Sequence, residues 1–218
     1  MSIGVLLLAW SGFASATIIN FISADSATQK TSIYTYFDNF KLETFDQASM
    51  INVGLDQPWT WTGSGQIVED TLSGKYAAPY GTTGADETKY LSVPNPNSTG
   101  TVTASLGATY DYFGVWWGSR DNYNTISFYN GTTLVESFAG TDVYGWADGN
   151  QTAPPSNVYV NFLGLGKFDS FSLTSTQFAF EVDNIAVGTT PVPEPATLLL
   201  FGTGLVGLVA ARKRKKRC

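Results

Sequence analysis

Trp116, Trp117, Arg120, Asp121, Tyr123 and Asn124 fall within one short segment of this 218-residue chain. Together they hold the chemistry of a sugar site, where an aromatic ring stacks on an apolar sugar face while amides and carboxylates bond hydroxyls. Adjacent residues of a strand point to opposite faces, so one of the two tryptophans belongs to the core. Trp117, Arg120, Asp121, Tyr123 and Asn124 are therefore the candidate ligand-binding set, although Asp121 and Asn122 also suit an ordinary turn. A second group, Glu181, Asp183 and Asn184, offers hard oxygen donors beside a strand junction. With an acid from an early strand, Asp38 or Asp46, it would begin a structural Ca²⁺ shell, which takes six to eight oxygens. The simpler reading of Asp183 and Asn184 is hydrogen bonding to local backbone at a turn or bulge.

Other chemistries are excluded by composition. There is no histidine, and the single cysteine is the final residue, Cys218. Zinc sites of the Cys/His type, Ser-His-Asp or Cys-His catalysis and an internal disulfide all fall away. A glycosidase needs only two suitably spaced carboxylates, and 18 acidic residues will supply such a pair by chance. Nothing singles one out. No catalytic residue and no cofactor beyond possible calcium is expected. Asn97, Asn130 and Asn150 each begin an N-x-S/T triplet, better read as coincidence in a chain rich in Asn and Thr.

The net charge of −6 conceals an uneven distribution. Six of the twelve Lys and Arg residues are Arg212, Lys213, Arg214, Lys215, Lys216 and Arg217. The other six face all 18 acids, leaving the body at −12. Such a surface repels phosphate, so nucleic acid is not an expected partner.

The elements that must position the candidate residues are strands. Residues 66–69, 101–106, 112–117 and 158–162 are short runs of β-branched and aromatic side chains, and 171–173 with 178–182 form a late pair. Around Asn130-Gly131, two period-2 runs read as a hairpin with a type I′ turn. No stretch between the termini carries a helical period over three turns. The expected fold is all-β, an antiparallel two-sheet β-sandwich of jelly-roll type over residues 33–190, with aromatics between the sheets. Residues 17–32 read as a flexible lead-in or one edge strand.

The ends carry addresses. Residues 3–10 are apolar and are followed by Ala14-Ser15-Ala16, which signal peptidase would accept, so residues 1–16 read as a signal peptide without a basic start. At the other end Pro191, Pro193 and Pro195 enforce an extended linker. Residues 196–211 are free of charge. As a helix they would span about 24 Å, short of a ~30 Å hydrocarbon core. The basic block 212–217 would sit in the cytoplasm and place the sandwich outside. Gly202, Gly204 and Gly207 match a dinucleotide fingerprint, but no βαβ unit surrounds them. They suit contact between membrane helices instead.

Pro193-Glu194-Pro195, a short apolar helix and a basic terminus together resemble the PEP-CTERM sorting signal. Residues 113–124 and 178–187 are similar to blocks of exosortase-dependent surface proteins. The resemblance implies a Gram-negative host that makes extracellular polysaccharide. It also implies recognition and processing of Pro193, Glu194 and Pro195 by exosortase, a membrane cysteine protease-transpeptidase. The expectation is a non-enzymatic protein that passes through the inner membrane to the cell surface or matrix, associated with envelope or exopolysaccharide. A carbohydrate-binding module, with or without structural calcium, is the alternative, and a polysaccharide-active enzyme is a third reading.

Overall fold

Strand β9 (Tyr112–Gly118) is buried at every position, the pattern of a strand covered on both faces. Phe113, Val115 and Trp117 enter the main core, whereas Tyr112 and Trp116 point the other way. The computed structural model describes residues 18–23, 30–144, 147–153 and 156–191. In it β9 lies near the middle of a seven-stranded antiparallel sheet. The order is β1 (Ile18–Ser23), β12 (Val158–Leu163), β9, β14 (Phe180–Thr189), β7 (Tyr90–Val93) and β4 (Gln66–Val68). β2 (Asp38–Glu43) pairs with the far half of β14 beyond the reach of β7.

The facing sheet has five antiparallel strands. Its order is β11 (Thr133–Ala139), β10 (Asn124–Asn130), β13 (Phe168–Ser175), β8 (Gly100–Tyr110) and β3 (Thr60–Gly63). Here alternation is one-sided: Ile126 and Phe128 of β10 are buried while Thr125, Ser127 and Tyr129 are partly exposed. Between the sheets Phe113 meets Phe171 at 4.8 Å and Phe128 at 5.1 Å, and Trp61 meets Phe171 at 5.5 Å, all edge-on. A short hairpin, β5 (Tyr80–Gly81) with β6 (Gly84–Ala85), and one helix, α1 (Gly140–Tyr144), complete the described elements. The all-β two-sheet sandwich matches expectation.

The outer face of the seven-stranded sheet is roofed by loops. Tyr34 and Phe37 pack on Tyr112, Lys30 stands 4.8 Å over the Trp116 ring, and Ser32 Oγ bonds the Tyr112 hydroxyl. Gly118 makes room for this roof, since a Cβ there would lie 2.9 Å from Pro79 Cα. That double cover explains why polar residues of β14 and β9 are buried although they face away from the sandwich core.

Two expectations change in detail. The hairpin joins β10 and β11, but Asn130 pairs with Thr133, so Gly131 and Thr132 form the turn. Only Gly131 has positive φ (57°) of the two, the pattern of a type II′ turn with glycine first. The expected type I′ turn on Asn130-Gly131 is corrected accordingly. Within the expected lead-in, residues 18–23 form the edge strand paired with β12. The expected signal peptide, the Pro193-Glu194-Pro195 motif, the apolar helix 196–211 and the basic block 212–217 lie outside the described residues. Among the described residues no helix is long and apolar enough to cross a membrane.

Candidate functional site

The segment that follows β9 separates the expected sugar-binding set. Trp117 turns into the core, is fully buried and stacks on Phe180 at 4.5 Å with planes 21° apart. It offers no face to a ligand, which corrects its expected role. Asn124 is fully buried: its Oδ1 accepts from Ser175 Oγ at 2.8 Å and its Nδ2 donates to the Ala179 carbonyl at 3.3 Å. It ties β10 to the β13–β14 connection. Arg120 is also fully buried, and its backbone N–H donates to the Ser156 carbonyl at 2.7 Å. Trp116, although on the outer face, lies under the roof and is 1% exposed. Consecutive strand positions with a roofed outer face bury both tryptophans.

Asp121 and Tyr123 remain accessible and line a polar cleft of about 250 Å³. Its other walls include Lys75, Tyr76, Asp148, Gln151 and Phe178. The Tyr123 hydroxyl donates to the Phe178 carbonyl at 3.0 Å, and the Lys75 ammonium lies 4.1 Å from the Phe178 ring centroid. Asp121 and Asp148 form an isolated backbone bridge, which the Gly149 N–H reinforces by donating to the Arg120 carbonyl. Burial raises the Asp121 carboxyl, opposed by the neighbouring Tyr123 side chain and assisted by the charge of Asp148. Asp148 is held low by donors from Ser156 Oγ and the Asn150 N–H. Asp148, Gln151, Lys75, Tyr76 and Phe178 were not legible as site residues, because three separate loops bring them together.

Behind the cleft floor stands Glu181, 2% exposed. Its Oε1 accepts from the Ala77 N–H at 2.9 Å and its Oε2 from Ser119 Oγ at 2.7 Å. Burial drives its carboxyl up to about 7, the two hydrogen bonds pull against this, and the charge of Asp121 adds to it. The expected metal trio of Glu181, Asp183 and Asn184 does not converge. Glu181 is engaged by Ala77 and Ser119, and Asn184, at φ 50°, donates its Nδ2 to Asp183 Oδ2 at 2.7 Å. The β14 register shifts between Asp183 and Ala186, so this pair does sit at a bulge. Asp38 pairs with Thr189 at the opposite end of β14, and the charge of Asp46 acts on Asp183. Among the described residues no three His, Cys, Asp or Glu side chains form a metal-binding group.

The fold and the cleft define an antiparallel β-sandwich protein with a polar depression at one end. Solved structures with related shape include CpGH89CBM32-6 produced by Clostridium perfringens, at 12% identity and TM-score 0.32, covering 71% of this chain and 97% of that one. The CBM32 of AlyQ in complex with 4,5-unsaturated mannuronic acid matches at 14% identity and TM-score 0.28, covering 45% and 75%. A Ruminococcus gnavus GH29 fucosidase in complex with fucose matches at 16% identity and TM-score 0.31, over 59% of this chain but 25% of its own. At such overlap nothing about ligand or activity follows. No curated protein matches the chain. Residues 191–215 match the PEP-CTERM protein-sorting motif. The chain thus carries a PEP-CTERM sorting motif at its C-terminal end, preceded by a β-sandwich.

Proposed function

We propose that this is a non-enzymatic surface protein of a Gram-negative cell, threaded to the inner membrane by its tail and processed by exosortase near Pro193-Glu194-Pro195. The sandwich then remains with the envelope or exopolysaccharide. The sorting motif at 191–215, directly after the last strand, carries this reading. The exit is anchored: Asp111 Oδ1 accepts from the Thr190 N–H at 2.6 Å and Oγ1 at 2.9 Å, and Lys167 pairs with Asp111 Oδ2 at 2.8 Å. A pull on the tail therefore meets a pinned β14 rather than a loose end.

Mass spectrometry of the protein recovered from its own host is the test. The mature species is expected to begin near Thr17 and to lack 212–217, and Pro193→Ala with Glu194→Ala and Pro195→Ala is expected to retain them. A wild-type surface protein that keeps the basic block overturns the sorting reading.

A second reading is favoured by where the cleft lies. It gathers at the end of β9 and the start of β14, whereas the chain leaves from the end of β14. Ten residues of strand separate the two by roughly 30 Å. On a tail-tethered sandwich the cleft faces away from the membrane, where a saccharide would meet Tyr76, Tyr123, Asp121 and Asp148. On a glycan array followed by calorimetry, Asp121→Ala is expected to weaken binding about 10- to 100-fold, the loss of one charge-assisted hydrogen bond. Unchanged affinity in Asp121→Ala removes the cleft from the account.

A further inference from the structure

The two sheets differ on their outer faces. That of the seven-stranded sheet is roofed, whereas that of the five-stranded sheet is open: Thr60, Thr62, Thr101, Ser105 and Ser137 are exposed. Alternation along the strands sends Trp61, Val102, Ile126 and Phe171 into the core and leaves hydroxyl side chains outside. The registers align these hydroxyls across the sheet. Thr62, Thr103, Ser172, Ser127 and Ser137 form one row through all five strands. Thr101, Thr174 and Thr125 form a row on one side of it, and Thr60, Ser105, Ser170 and Tyr129 a row on the other. With strands about 4.8 Å apart the middle row is about 19 Å long, and its neighbours run about 7 Å away. No position in the three rows carries a charge, although the chain outside its basic block stands at −12.

Part of this array is already bonded. Thr101 and Thr174 share a hydroxyl–hydroxyl bond of 2.8 Å, as do Ser127 and Ser137. Ser172, at the centre, is different. Phe171 and Leu173 on either side of it enter the core, so its hydroxyl points outward into the middle of the array. It is 5% exposed and has no hydrogen-bond partner among the described residues. A walled-in hydroxyl of this kind costs free energy until a group from outside reaches it. The third row adds an apolar face. Tyr129 is partly exposed beside its ladder partner Leu134, which is 54% exposed. Its other ladder partner, Ser170, borders with Ser105 a depression of about 450 Å³, lined also by Thr109, Gly131 and Asp169.

Hydroxyls both donate and accept, and they turn to suit what meets them. Beside an aromatic ring they form the composition of a saccharide site, and a row of this length suits an extended chain rather than one sugar. The missing charge selects among glycans. An anionic one would approach an acidic body and find no cation in the rows to pair with.

We propose that the outer face of the five-stranded sheet binds a neutral, extended polysaccharide, its hydroxyl rows bonding the sugar hydroxyls and Tyr129 stacking on one ring. This names the class of glycan in the exopolysaccharide association proposed above, and it rests on that reading for the two to meet outside the cell. The cleft gathers at the ends of β9 and β14, in the other sheet, so mutation separates the two surfaces.

The test is retention of the full chain, in micelles of a detergent without sugar groups, on immobilised cellulose, mannan and galactan, with alginate as the anionic comparison. Wild type is expected to be held by at least one neutral polysaccharide and not by alginate, with affinity unchanged over a roughly tenfold range of salt. Tyr129→Ala is expected to weaken retention about 3- to 10-fold, and Ser172→Ala about 2- to 10-fold. Thr103→Glu, which sets a carboxylate in the middle row, is expected to abolish it. If Thr103→Glu does not fold, the two alanine variants decide. No retention on any neutral polysaccharide, or salt-sensitive retention on alginate, overturns the proposal. So does retention by all three variants equal to wild type, or retention that Asp121→Ala abolishes and Tyr129→Ala does not, which would assign the glycan to the cleft. A dimer that Thr103→Glu dissociates would overturn it too, giving the face to a second copy of the chain. Retention on a column does not depend on processing, so a chain that binds a neutral glycan but keeps 212–217 in its host fails the sorting reading alone.

Discussion

Trp117→Ala is expected to lower the unfolding free energy by about 3–5 kcal/mol, the range for truncating a buried aromatic. Trp117 lies between the sheets among Phe180, Val182 and Val158 rather than at a surface, and Val158 and Val182 are its two ladder partners. Removing the indole deletes the stacked contact at 4.5 Å and leaves a void in a core whose strands are held by ladders on both sides and cannot close over it. Its Nε1 has no partner in the core, so no hydrogen bond is lost to confuse the result. Denaturant unfolding with an unchanged m-value checks the magnitude. A loss below 1 kcal/mol would show that Trp117 is not the inter-sheet anchor described. Any ligand affinity of the folded variant should be that of wild type.

Glu181→Gln should flatten the dependence of stability on pH. The folded protein holds the Glu181 proton up to about pH 7, whereas the reference value is 4.5. Between those values the native state binds more protons than the unfolded state, so stability is full below about pH 4.5 and falls as pH rises through 7. A gap of that size corresponds to about 3 kcal/mol. Asp183 and Glu43 are also raised, chiefly by burial, and add slope of the same sign. The difference between wild type and Glu181→Gln isolates Glu181. Glutamine preserves the shape, and the Ser119 hydroxyl can accept from its amide where it formerly donated. Unfolding free energies measured at pH 5 and pH 8 are expected to differ less in the variant than in wild type. Equal slopes would mean that Glu181 is ionised in the folded protein.

Strand runs were readable where one face meets the core and the other meets solvent, as along residues 124–130. The β9 run was readable as a strand but not as a doubly covered one. Its outer cover comes from residues 30–37 and 69–88, distant in sequence and without a periodic signal. That cover entombs Trp116 on the outer face while Trp117 is taken by the inter-sheet core and Asn124 by its ties to Ser175 and Ala179, so that of the expected set Asp121 and Tyr123 stay accessible. The latter two sit just past the strand end, where the roof gives way to the cleft.

The amino-acid sequence by itself determined the class of chemistry excluded, the all-β alternation and the sorting address at 191–215, because each depends on composition or on a contiguous pattern. Which side chains face a ligand and which are entombed was decided only by the tertiary structure. Those facts depend on what long-range pairing and the roof loops place over each face, and local order along the chain holds no record of that.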